Sequence, residues 1–304
     1  MQRPLLGITL KLLSVLVFVV MNAMVKSVAA GIPAGEIVFF RSAFAVPVIL
    51  IWLASSGGLR TGLRPHNVLS HFWRGLIGTL GMGLNFAALA YLTLPDSTAI
   101  GYTAPLLVVI LSAMFLGEEV RLFRFACVML GLCGVIVVLL PRLSIGPQMQ
   151  PAQVTGIVMA LFGATCVALS QVFVRKLVHS ESTSAIVFYF SVFSALISLV
   201  SLPFGWVWPT PFQAAILVGC GLIGGLGQIL MTKSYREADV SLVAPFDYAS
   251  MLFSLAIGYF AFGEVASTAT LIGAGIIVSA GLLIIWRERK LGLERARGRG
   301  ATTP

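Results

Sequence analysis

Residues 102–118 open on Tyr102-Thr103-Ala104-Pro105 and close on Phe115-Leu116-Gly117-Glu118. Residues 244–264 run Ala244-Pro245-Phe246-Asp247-Tyr248 and close on Phe262-Gly263-Glu264. A shift of 146 residues lays Tyr102 on Tyr248 and Gly117-Glu118 on Gly263-Glu264. Working outward, a shift of 144 lays Gly75, Gly81, Gly83 and Tyr91 on Gly219, Gly225, Gly227 and Tyr235. A shift of 149 lays Gly7-Ile8 on Gly156-Ile157, Asn22 on Gln171, Lys26 on Arg175, Ile37-Val38-Phe39-Phe40 on Ile186-Val187-Phe188-Tyr189, and Ser42 on Ser191. Blocks that keep their order with small changes of offset point to an internal duplication.

The composition says what is duplicated. The chain has 304 residues, 58% of them apolar and 10% charged, and its mean hydropathy is +1.00. Soluble domains carry about 25% charged residues, so this chain cannot cover a water-facing surface. That excludes a soluble enzyme, a disordered chain and a disulfide-stapled secreted protein. Long continuous apolar runs rather than short alternating ones set aside a membrane β-barrel. An all-α integral membrane protein remains, because a helix satisfies every backbone group within the lipid. Ten spans are expected near 5–27, 35–55, 72–92, 97–116, 122–140, 154–174, 184–203, 212–231, 241–262 and 268–286. They divide into a first five-helix repeat (1–150), a second (151–287) and a basic cytoplasmic tail (288–304).

Five is an odd number, so the second half enters the membrane from the opposite side. The halves form an inverted-topology repeat, whose exchange of conformations is the physical basis of alternating access. With the N-terminus inside, 16 of the 20 Lys and Arg fall on the cytoplasmic side, Arg74 and the six tail cations among them. Lys26 and Arg142 fall outside, while Lys11 and Arg41 stay within spans. This asymmetry places both termini in the cytoplasm. The net charge of +9 is therefore a membrane-anchoring feature, and no groove-reading motif suggests a nucleic-acid partner. Ser27-Val28-Ala29 looks like a cleavage site, but Lys11 interrupts the apolar region a signal peptide needs.

These residues and motifs resemble the drug/metabolite transporter superfamily and, within it, the ten-helix EamA branch. The resemblance covers nearly the whole chain and rests on the two blocks quoted first and on the glycine-rich third and eighth spans. It implies transport of a small metabolite or drug across the bacterial inner membrane, in a family that includes amino-acid exporters and importers of vitamins and cofactors. One departure is visible. Met251 stands at the repeat position of Pro105, so the two halves should not bend identically.

Candidate pathway residues follow from the cost of polarity in lipid. A charge at the bilayer centre costs about 2.5–3.5 kcal/mol on insertion scales. Lys11 and Asp247 lie at matched depth in the first and ninth spans, where Lys11 snorkels to the inner headgroups, the two neutralise each other, or they bind the two ends of a zwitterion. Arg41 either snorkels outward, pairs with Glu36 or Asp96, or meets a substrate carboxylate. Its repeat partner is Phe190, so this charge belongs to one half only. Asn22 with Gln171, and Tyr102 with Tyr248, form symmetric pairs able to hydrogen-bond a small polar solute. Gln228, Asn85, Trp73 and Ser170 are weaker candidates. Pro105 and Pro245 mark hinges, and Gly75, Gly78, Gly81, Gly221 and Gly225 mark close helix packing. Glu118 and Glu264, at span ends, read as structural groups pairing with backbone or Arg.

The functional classes separate on what is missing. No nucleophile–base set, His-Glu-x-x-His pattern or phosphate loop occurs, so no enzyme activity and no cofactor are expected. Cys127, Cys133, Cys166 and Cys220 sit in apolar runs, and His66, His71 and His179 have no ligand spacing, so no metal site is expected either. A passive channel usually needs rings from several chains, whereas one duplicated chain, expected as a monomer, suits a secondary transporter. Export of amino acids, aromatic ones included, is the first expectation; a riboflavin, S-adenosylmethionine or drug transporter is the alternative.

Overall fold

Among the described residues seven helical stretches are long and apolar enough to cross a membrane, and shorter apolar helices cover Phe125–Leu139 and Phe246–Phe262. In the computed structural model the described residues are 3–55, 62–63, 65–116, 122–142, 151–177, 180–238 and 243–300, and among them there is no strand. The first span is Pro4–Ala29, the second Ala34–Ala43 with Ala45–Ser55, and the third Val68–Ala88. The fourth is Leu94–Gly101 with Thr103–Leu116, the fifth Leu122–Leu139, the sixth Pro151–Leu177. The seventh is Thr183–Ser198, prolonged by the 3₁₀ turn Leu199–Phe204, and the eighth is Pro211–Glu237. The ninth joins a 3₁₀ segment, Ala244–Tyr248, to Ala249–Phe262, and the tenth is Thr268–Gly300. The third span is the most mixed, since it carries His71, Arg74, Thr79 and Asn85.

Side-chain chemistry sets the ends and the breaks. Asn67, Thr93 and Ser182 cap the third, fourth and seventh spans by accepting from the N–H of Ser70, Asp96 and Ala185, and Thr210 forms a reciprocal capping box with Gln213. Gly263 ends the ninth span with φ 65°, a conformation that favours glycine. Pro47 leaves the Ala43 carbonyl without an intrahelical donor, and the second span breaks at Phe44. Pro105 does the same for Gly101, and the fourth span breaks at Tyr102.

The expected inequality of the two halves takes another form. The breaks fall at equivalent residues, Tyr102/Thr103 and Tyr248/Ala249, although Met251 replaces Pro105. What differs is the segment before the break, α-helical in the first half and 3₁₀ in the second. Pro245 stands in the first turn of that 3₁₀ segment, where a missing N–H costs nothing. Residues 288–300, read from the sequence as a separate tail, continue the tenth helix without interruption. At about 1.5 Å per residue that helix outruns a hydrocarbon core of about 30 Å.

Helix pairing is cross-wise. The first span packs along the eighth, and the third along the sixth. The second meets the seventh, the fourth meets the ninth, and the fifth meets the tenth. Exchanging first for sixth, second for seventh, and so on swaps the first–eighth pairing with the third–sixth and maps each of the other three onto itself. The fifth–tenth contact is the tightest backbone approach: a Cβ on Gly273 would lie 2.6 Å from the Gly134 carbonyl oxygen, and one on Gly134 2.8 Å from that of Gly273. Large apolar side chains such as Leu5, Phe115, Phe162 and Phe260 face outward, while Lys11, Glu36, Arg41, His71 and Asp96 are buried. Lipid on the outside and polarity on the inside account for this inversion of the soluble pattern.

Candidate substrate pathway

The first span is tied to the eighth by hydroxyls that donate across to backbone carbonyls: Ser14 to Gly227 at 2.9 Å and Ser234 to Gly7 at 2.7 Å. Lys11, one turn before Ser14, is buried and its Nζ lies 2.7 Å from Asp247 Oδ1. The pair is lopsided, because the Asp247 side chain is 52% exposed while that of Lys11 is 2% exposed. Asp247 sits in the 3₁₀ segment directly before Tyr248, and Tyr248 meets the ring of Tyr102 edge-on at 5.2 Å. The Tyr102 hydroxyl donates to the Tyr248 carbonyl at 3.2 Å and shares a hydrogen bond of 2.6 Å with Ser250. A Cβ on Gly281 would collide with the Tyr248 hydroxyl, so the tenth span makes room for that ring. Four of the sequence-derived candidates, Lys11, Asp247, Tyr102 and Tyr248, thus form one polar and aromatic group.

Arg41 does not join it. It is buried, with Nε and Nη1 lacking any hydrogen-bond partner. The pairings expected with Glu36 or Asp96 are not made. Glu36 accepts from the Val207 N–H at 3.2 Å, and Asp96 accepts from the Thr270 hydroxyl at 2.7 Å. Arg41 faces the eighth span instead, where a Cβ on Gly224 would lie 3.3 Å from its Nε and 3.0 Å from Met21 Sδ.

Arg74, two residues inside the expected third span and assigned to its cytoplasmic side, lies further into the helix than that boundary suggests, because the helix begins at Val68 and places Arg74 in its second turn. Its guanidinium stands 4.3 Å over the ring of Phe190, its Nη1 donates to the Ile186 carbonyl at 3.4 Å, and its Nε has no partner. The second and third spans, which carry the two arginines, pack against each other and against the seventh. Phe190 is the repeat counterpart of Arg41, so an aromatic ring in one half occupies the place of a cation in the other. Ser42, beside Arg41 in sequence, has a buried hydroxyl that is also unpartnered. Leaving a buried charge uncompensated costs several kcal/mol.

The remaining candidates scatter. Asn22 and Gln228 are half-buried and Gln171 is exposed, and none of the three is hydrogen-bonded among the described residues. Asn85 donates to the Gly81 carbonyl, Ser170 to that of Arg74, and Trp73 is exposed. The glycines face neighbouring helices. A Cβ would come within 2.4 Å of Phe44 Cβ at Gly221, 3.0 Å of Val48 Cβ at Gly225, 2.8 Å of Phe193 Cβ at Gly75, 2.7 Å of Phe190 at Gly78 and 3.0 Å of Cys166 Cβ at Gly81.

Two polar knots lie at opposite ends of the helices. At the end away from the N-terminus, Lys26 Nζ lies 2.9 Å from Glu264 Oε1 and donates to the carbonyls of Leu92 and Leu89. Glu264 Oε2 accepts from the Leu94 N–H at 2.8 Å. Glu264 is thus bound to backbone and a cation; Glu118 lies outside the described residues. At the other end, Glu181 accepts from the backbone N–H groups of His66 and Asn67 at 2.6 and 2.8 Å. The His66 and His71 rings lie 3.6 and 3.5 Å from the same carboxylate. Burial alone raises the Glu181 pKa, but the two N–H donors and the histidines outweigh it and hold the carboxyl below the usual range. Sequence spacing missed this cluster, since Glu181 stands more than 100 residues from His66, Asn67 and His71, which lie at and just inside the start of the third helix. His179 lies outside the described residues. No group of His, Cys, Asp or Glu among the described residues has metal-binding geometry.

Comparison with known proteins bears on this geometry. The profile of the EamA-like transporter family matches residues 5–140 and again 154–286. The chain is 30% identical to the pseudopaline exporter CntI of Pseudomonas aeruginosa over 288 residues, covering 93% of this chain and 97% of that protein. It is 28% identical to the S-adenosylmethionine uptake transporter of Rickettsia bellii, covering 94% and 95%. It is 29% identical to the riboflavin transporter of Vibrio cholerae, covering 97% and 98%. A solved crystal structure shares the fold with a TM-score of 0.66 at 24% identity, over 95% of this chain and 97% of that one.

Proposed function

Since this chain belongs to the EamA-like transporter family, and is a multi-span membrane transporter of small metabolites, we propose that it exports an amino-acid-like solute across the bacterial inner membrane by alternating access. The observation that carries this reading is the Lys11–Asp247 pair beside Tyr102 and Tyr248. An ammonium and a carboxylate 2.7 Å apart are the two charges a zwitterion presents, in reverse. A solute that brings its own carboxylate to Lys11 and its own ammonium to Asp247 replaces one neutralised pair by two, so entry leaves no charge bare. The tyrosine rings supply an apolar face and two hydroxyls for the rest of the molecule. The exchange-symmetric helix pairing lets the two five-helix halves trade conformations, acting within one chain and with both termini in the cytoplasm.

A second reading is favoured by relatives named for S-adenosylmethionine and riboflavin: the solute is a cofactor or vitamin. One experiment separates them. Purified protein in liposomes is screened for flux of radiolabelled amino acids, S-adenosylmethionine and riboflavin, with Asp247→Asn and the Tyr102→Ala/Tyr248→Ala double variant alongside. Amino-acid flux lost in both variants at unchanged protein abundance is expected. Riboflavin flux without amino-acid flux reverses the ranking, and full activity in the double variant removes the tyrosines from the pathway.

A further inference from the structure

We propose that Arg41 and Arg74 form a buried oxyanion receptor, so that the transported molecule carries an acidic group beyond the zwitterion held by Lys11 and Asp247. This rests on the transporter reading above and narrows its substrate to solutes of net negative charge.

The arginines stand on the second and third spans, which pack against each other and against the seventh, and no salt bridge among the described residues involves either. The carboxylates described in the interior are engaged elsewhere: Glu36 with Val207, Asp96 with Thr270, Asp247 with Lys11, Glu264 with Lys26. Arg41 is 3% exposed and keeps two donor nitrogens empty, Nε and Nη1, while Arg74 keeps Nε empty. A guanidinium presents its N–H groups as a planar fork that matches the two oxygens of a carboxylate or phosphate. Stacking on Phe190 orients the Arg74 plane without using its donors. The Ser42 hydroxyl, buried and unpartnered next to Arg41, adds a neutral donor.

On the eighth span the backbone opposite Arg41 carries no side chain and packs closely, since a Cβ on Gly224 would come within 3.3 Å of the Arg41 Nε and would also lie 3.0 Å from Met21 Sδ. The receptor is also one-sided. Repeat symmetry replaces Arg41 by Phe190, and both cations come from the first half. A merely structural cation in a duplicated protein has no need to break the symmetry, whereas a solute with one acidic end does.

The test measures binding apart from flux. The full chain is reconstituted in lipid nanodiscs, and tryptophan fluorescence is titrated with succinate, inorganic phosphate and neutral succinamide. The expected result is saturable binding of succinate or phosphate, none of succinamide, and at least a tenfold loss of affinity in R41Q and in R74Q. Succinate alone assigns the oxyanion to a carboxylate and phosphate alone to a phosphoryl group. Should the glutamine variants fail to fold, Gly224→Ala narrows the space while leaving both charges, and a several-fold loss of affinity is expected there with an unchanged melting temperature. Equal binding in wild type, R41Q and Gly224→Ala overturns the proposal, as does the absence of any anion binding by wild type. Anion binding without amino-acid flux keeps the receptor and discards the amino-acid assignment. Amino-acid flux without anion binding does the opposite.

Discussion

Lys26 and Arg41 are both cations on the first two spans, and both are withdrawn from solvent, but their surroundings differ. Lys26 is matched on every side: a carboxylate at 2.9 Å and two backbone carbonyls take its protons, and that carboxylate accepts a further backbone N–H. Arg41 keeps two nitrogens unpartnered and makes no salt bridge among the described residues. A cation whose field is cancelled locally holds helices together, here the first, the ninth and the segment joining the third to the fourth. A cation whose field is not cancelled raises the energy of the empty protein, and that cost is recovered only when something arrives to cancel it. The contrast divides the buried charges of this molecule into a clamp and a receptor.

The largest effect that would sharpen this division is on flux. Arg41→Gln should lower substrate flux at least 100-fold, about 2.7 kcal/mol, while its melting temperature stays equal to or above that of wild type, because removing an unpaired buried charge relieves strain. A large drop in melting temperature in Arg41→Gln would place Arg41 with the clamp.

Lys26→Gln should do the reverse in kind. It strands Glu264 in a nearly buried site, which costs about 3 kcal/mol of stability. Thermal unfolding of Lys26→Gln, and of the exchange Lys26→Glu with Glu264→Lys, measures this. Partial recovery in the exchanged protein is expected, and wild-type stability in the single variant would show that the clamp holds nothing.

The smallest effect concerns Glu181, whose carboxyl is held below the usual range by the N–H groups of His66 and Asn67. A folded-state pKa depressed below the unfolded value contributes stability above the ordinary carboxylate pKa, and that contribution fades as pH falls through the depressed value. Glu181→Gln should therefore unfold at a lower temperature than wild type near neutral pH, with the gap closing below about pH 4.5. A gap that widens on acidification would break the assignment.

Much of this was legible before any coordinates. Lys11 and Asp247 are at matched depth by counting residues, and they meet. Tyr102 and Tyr248 are equivalent by the repeat, and they touch. Arg74 falls at the start of the expected span 72–92, where it reads as an end-of-helix cation, whereas the helix begins at Val68 under the Asn67 cap and carries it a turn further in. The histidines were missed because a carboxylate from a distant loop defines their cluster. Arg41 was found, but its suggested partners were wrong, since Glu36 and Asp96 turn to other elements.

The sequence alone determined the solvent, the helical class and the depth of each charge, because composition selects lipid and each helical residue advances about 1.5 Å along the axis. Only the tertiary structure decided which charges are answered and which are not. A helix that is apolar on all sides carries no stripe to fix its rotation. Whether Arg41 meets an acid or keeps its nitrogens unpartnered therefore depends on neighbours that include the other half of the chain.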